Sequence, residues 1–155
     1  MATITVAADQ LHAVHDGPAW HGPSLHEALE GVDATLAARR PPNGAHSIGE
    51  IVAHVSIWLD VCRCWLEGQA ADVSDEENFS TPSDGAAAWQ RLLATLDARA
   101  AALEKTMRQF PAARLEAIVP NREYTFATLL SGLPFHTAYH AGQISLLKRI
   151  LSGAV

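Results

Sequence analysis

Residues 47–68 constrain this chain more than any other stretch, because as a helix they have almost no surface to show to water. Ser47 and Glu50 stand at capping-box spacing, in which a serine hydroxyl and a glutamate carboxylate each satisfy the other's backbone donor at a helix start. Gly68 marks the end, where a left-handed residue closes a helix. At about 100° per residue, Ser56, Asp60, Arg63 and Glu67 fall in one narrow polar strip. Everything else between Ile51 and Leu66 is Ile, Val, Leu, Trp, Cys, Ala or His54. A helix that apolar is covered on more than one side, so it belongs in a bundle core or at a subunit interface.

The rest of the chain supplies the cover. Residues 3–15 carry Ile4, Ala7, Ala8, Leu11 and Val14 as one stripe, stopped by Asp16-Gly17-Pro18. A short helix is expected from Ser24, paired with Glu27 in a second capping box and closed by Gly31. Another turn or two runs from Asp33 to Arg39, before Pro41-Pro42-Asn43-Gly44 forces a loop. Residues 68–81 are acidic and read as a solvated connection. Thr81-Pro82 then opens a third long helix, threonine as cap and proline at the first helical position, with Trp89, Leu92, Leu96, Leu103, Met107 and Phe110 inward. Residues 111–124 read as irregular or partly extended. The last helix runs from about Thr125 to Leu151, with a bend rather than a stop expected at Pro134. These elements predict an all-α fold: an up-and-down four-helix bundle with extra short helices near the N-terminus, one domain over residues 1–155.

Charge narrows the function. Eleven basic against seventeen acidic side chains give a net charge of −6, and only two of the basic residues are lysines. Such a chain lacks the basic face that phosphate contacts need, so nucleic acid is not an expected partner. A hydrophobic content of 48% excludes a disordered polymer, while no apolar run is long enough to span a bilayer and no secretory leader is visible. The expectation is a soluble, cytoplasmic protein. Cys62 and Cys64 point about 200° apart on a helix, so they cannot bridge each other and read as small hydrophobes.

The eight histidines carry the chemistry. His136 and His140, four apart, share one helix face among Leu129, Leu133, Ile144 and Leu147, which is the inward stripe. Imidazoles aimed into a core need polar partners, and this spacing is how a helix offers two metal ligands. His54 offers a third from the facing helix between Ile51, Trp58 and Val61. Gln143 lies about one turn beyond His140 and is placed to hydrogen-bond a ligating imidazole or a bound water. Thr137 follows His136 where a zincin would carry glutamate, so this is not a zincin helix. Three histidines leave coordination positions open for water or a thiolate. His12, His15, His21, His26 and His46 read as surface or packing residues, with His12 and His15 partly exposed.

Three segments carry a family resemblance. Residues 124–149, from Tyr124 through Pro134, His136, His140 and Gln143 to Arg149, resemble the C-terminal signature of the DinB-like superfamily. Residues 46–58, His46 through His54 to Trp58, resemble its second-helix signature, and Trp20-His21-Gly22-Pro23-Ser24-Leu25 resembles the entry segment of one branch. Pro134 and Ser131 depart from that branch, which bears on helix geometry and not on the ligands. The resemblance implies a four-helix bundle, often a homodimer, with nickel or zinc held at His54, His136 and His140. It also implies kinship with thiol-dependent enzymes such as bacillithiol transferases and a mycothiol-dependent maleylpyruvate isomerase.

The leading expectation is therefore a metal-dependent enzyme, of thiol S-transferase or hydrolase type, acting with a small-molecule thiol or on an electrophilic substrate. The alternative is a non-catalytic metal- or ligand-binding dimeric module, with stress response as its setting. No catalytic residue beyond the ligands is named by the sequence. A homodimer is expected because Trp58 and Trp65 lie outside the polar strip of their helix, and a two-fold interface is a natural place to bury them.

Overall fold

The computed structural model describes residues 2–42 and 44–153. Its regular elements are helices: α1 (Ala2–Asp16), α2 (Leu25–Leu29), α3 (Ala34–Ala38), α4 (Ile48–Leu66), α5 (Asp75–Asn78), α6 (Ala86–Gln109) and α7 (Phe126–Ser152). A single 3-10 turn at Ala112–Arg114 and one isolated bridge, Ile118 with Thr125, occupy the connection that the sequence leaves irregular. Among the described residues no helix is long and apolar enough to cross a membrane. Met1, Ala154, Val155 and Asn43 of the expected loop lie outside the described residues.

The long helices enclose the core in a ring. α4 packs on α6 and α7, and α1 packs on the same two helices from the other side. The apolar stripe of α1 is buried from Ile4 to Val14, and α6 contributes Trp89, Leu96, Leu103 and Met107. α2 closes against α1 and α7, α3 covers the start of α4, and α5 lies along α4.

The start of α4 is fixed by the reciprocal cap. Glu50 receives the Ser47 amide at 2.9 Å, and its other oxygen accepts from the Thr81 hydroxyl and from Arg40. Burial alone would raise this carboxyl's pKa, but the bonds from Ser47, Thr81 and Arg40 reverse that and hold it below the ordinary glutamate range. Thr81 is thereby committed to Glu50, which corrects the expected cap of the third helix. α6 begins five residues later at Ala86, after Gly85 in the left-handed region at φ +95°.

Two further expectations change. The polar strip of α4 turns along α6, where Ser56 is buried and accepts from Arg99 at 3.1 Å, and Glu67 accepts from Thr106. Residues 68–81 are not merely a solvated connection, because Ser74 and Glu77 form a third capping box that starts α5. α7 is continuous through Pro134.

Candidate metal centre

Helix periodicity puts His136 and His140 on the inner face of α7, and α4 presents His54 across from them. The Nε2 atoms of His54 and His136 lie 3.1 Å apart, and those of His140 and His136 lie 3.2 Å apart. Ligands at 2.0–2.1 Å from one tetrahedral ion would sit about 3.3 Å from each other. Both separations match an edge of such a coordination sphere, and the three ligand nitrogens all lie within 4.8 Å of one another.

The outer nitrogens explain why the inner ones are free to bind. His54 Nδ1 lies 2.8 Å from the Asn78 carbonyl and 2.9 Å from Asn78 Oδ1, both acceptors, so this nitrogen carries the proton. Asn78 Oδ1 is itself fixed by the Trp58 indole N–H, which can only donate, at 2.8 Å. On α7, His140 Nδ1 donates to Gln143 Oε1 at 2.7 Å, while Gln143 Nε2 donates to the Tyr139 hydroxyl at 3.2 Å. Both Nε2 atoms therefore direct lone pairs at His136 Nε2. A proton on that nitrogen can satisfy only one of them, whereas a cation satisfies all three.

Electrostatics keeps the donors neutral. Burial, reinforced by the neighbouring imidazoles, pulls His136 down to about 4. Burial also takes His140 to about 4, against the opposing bond to Gln143. Burial lowers His54 as well, with the two Asn78 bonds working the other way. Neutral imidazole is the form that coordinates. His54, His136 and His140 thus fit a divalent ion by donor type, spacing and protonation.

Asn78 and Phe79 are functional neighbours that the sequence reading misses. Phe79 lies flat between two histidines, 3.8 Å from the His46 ring centroid and 4.1 Å from that of His54, with both pairs within 5° of parallel. This stack and the Asn78 bonds set the His54 ring plane. The available signal was Ser74-x-x-Glu77, the same capping box read at Ser24 and Ser47, which announces a helix start just ahead of Asn78.

Beside His54 and His136 opens a cavity of about 430 Å³, walled by Trp58, Trp65, Leu129 and Leu133, with Tyr124 and Cys62. Its wall is largely apolar. Burial pushes the Cys62 thiol up to about 12, so it is an inert part of the wall. Trp65 is buried within the chain and donates to the Ala71 carbonyl, and Trp58 contacts it edge to face at 6.0 Å. Trp65 is thus covered within the chain, while Trp58 lines the cavity and stays half-buried. His21 is exposed, and His15, expected to be partly exposed, is buried.

A family model described as the DinB superfamily matches residues 19–144, a span that holds all three imidazoles of the trio. The chain belongs to the DinB superfamily. No curated protein and no solved structure matches it.

Proposed function

We propose that this DinB-superfamily chain is an up-and-down four-helix bundle that acts as a metal-dependent enzyme. In this reading His54, His136 and His140 hold one divalent ion, nickel or zinc, and the apolar cavity holds a small electrophilic substrate. The observation that carries it is the convergence of three neutral ring nitrogens, with the outer nitrogens of His54 and His140 already spoken for, beside a cavity of about 430 Å³ that His54 and His136 line. When bound, such an ion supplies a nucleophile near neutral pH by lowering the pKa of a thiol or water.

The chain's own residues define what it accepts. Trp58, Trp65, Leu129 and Leu133 exclude water and favour an apolar or aromatic body. None of the residues lining the cavity is a carboxylate, which disfavours mechanisms that need a carboxylate base at the reacting atom. Asn78 and Gln143 act by holding His54 and His140 in orientation. The test is to screen tag-free, metal-loaded protein with low-molecular-weight thiols and electrophilic acceptors, following loss of thiol. Turnover that disappears in His136→Ala/His140→Ala protein supports the reading, and metal binding without turnover of any thiol or ester substrate favours the alternative.

That alternative, a non-catalytic binding dimer, draws support from α7. Phe135, Tyr139, Leu146 and Ile150 are exposed and fall on one stripe of that helix. A homodimer through this stripe would adjoin the metal centre, because Tyr139 accepts from Gln143. Light scattering of wild type and Leu146→Glu protein tests it, with a dimer expected only in the first.

A further inference from the structure

The trio on α4 and α7 leaves a second group of imidazoles unused. The end of α1, the start of α2 and the middle of α6 converge on Asp97. His26 Nε2 lies 2.8 Å from Asp97 Oδ1, and His15 Nε2 lies 3.3 Å from the same oxygen. Asp16 Oδ1 approaches His26 Nε2 at 3.8 Å. One ligand atom from each of His15, Asp16 and His26 falls within 4.8 Å of the others. The measured separations bracket the roughly 3.3 Å expected between ligands of one tetrahedral ion.

We propose that His15, His26, Asp97 and Asp16 form a second site, for a divalent transition ion of the zinc class, which clamps α1, α2 and α6 together. Two observations besides the convergence point to a missing ligand. His15 is only 3% exposed with no hydrogen-bond partner at Nδ1, and its Nε2 lies 3.3 Å from Asp97 Oδ1, longer than a good hydrogen bond and equal to the spacing of two ligands on one ion. In addition, Asp16, Asp97 and Glu104 bring three carboxylates to the cluster, and its cavity of about 320 Å³ is open to entry because His26, Asp16 and Asp97 are half-exposed.

The surrounding contacts orient the donors. His12 Nδ1 lies 3.2 Å from Asp16 Oδ2 and 3.3 Å from Glu104 Oε2, which holds the outer oxygen of Asp16 and leaves Oδ1 facing His26. Two imidazoles in the donor set select a transition ion over magnesium or calcium, which take oxygen ligands. Four protein donors make a closed site, the arrangement of structural ions and not of catalytic ones. The role is anchoring: an ion bound only by the folded chain stabilises it by mass action.

The experiment uses full-length, tag-free protein stripped with chelator and titrated with Zn²⁺, with elemental analysis after dialysis. Wild type is expected to hold two ions per chain. His136→Ala/His140→Ala protein is expected to keep one, and His26→Ala/Asp97→Asn protein, changed at half-exposed positions, to keep the other. The second variant should lose the clamp ion with affinity weakened at least about 100-fold. Failure of the α4–α7 reading alone would leave wild type with one ion, lost in the His26→Ala/Asp97→Asn variant. Equal zinc content in that variant and wild type overturns the proposal, as does a dissociation constant for the cluster weaker than about 1 mM. Wild-type protein offers a readout free of any variant. The ring ¹⁵N resonances of His15 and His26 should shift with added Zn²⁺, and unshifted resonances at saturation count against the site.

Discussion

His54 and His140 fix their outer nitrogens on carbonyl and amide oxygens, whereas His15 and His26 turn ring nitrogens onto a carboxylate. The same side chain is thus set against opposite backgrounds. A donor set of neutral imidazoles leaves the charge of a bound cation undiminished, beside an apolar cavity that strengthens its field. A set that includes carboxylates neutralises the cation and ties helices together. The contrast teaches that histidine spacing alone does not distinguish chemistry from anchoring; the partners of the second nitrogen and the polarity of the adjoining space do.

The sharpest way to break this comparison is to remove the α7 pair. His136→Ala/His140→Ala protein is expected to lose one bound ion per chain and any thiol-dependent turnover by more than about 100-fold, while its helical circular dichroism persists. Retained turnover would show that the neutral cluster is not the reactive one. A smaller effect is expected from Gln143→Leu, which keeps size and removes the acceptor for His140. Metal affinity or activity should fall roughly 10–100-fold at the α7 centre, and Asp97→Asn should leave that centre untouched. Asn78→Ala should weaken the same affinity by about 10-fold, at the low end of that range, because the Asn78 main-chain carbonyl still accepts from His54.

The smallest effect concerns the cavity wall. Cys62, pushed up to about 12 by burial, should resist iodoacetamide at pH 8 while half-buried Cys64 reacts, and unfolding should abolish the difference. The sign of its linkage is fixed. An unfolded thiol with the ordinary value of 9.0 loses its proton before the folded one does, so between pH 9 and about 12 the unfolded state binds fewer protons. Stability contributed by Cys62 is therefore full below pH 9 and declines as pH rises. Urea midpoints at pH 8 and pH 10, compared with those of Cys62→Ala protein, measure it.

Local signals carried far in this chain. The capping boxes at Ser24 and Ser47 and the stripe from Ile4 to Val14 are in place, because each depends on residues within one or two turns of one another. The i,i+4 pair His136 and His140 was legible for the same reason, and so was the position of Gln143 near His140. The start of α6 was misread at Thr81 because its hydroxyl has a better use 31 residues away on Glu50. Asn78 and Phe79 were missed because an acidic segment looks solvated until α4 is beside it to receive it.

What the sequence by itself determined is therefore the helices, their inward faces and the pair of imidazoles on α7, all of which follow from the 3.6-residue repeat acting over a few turns. What only the tertiary structure decided is which faces meet. His54 and His136 are 82 residues apart, as are His15 and Asp97, and each pair forms because helix packing sets the rotation and depth at which side chains interdigitate. That choice is made by the summed contacts of the whole core, and no short stretch of chain encodes it.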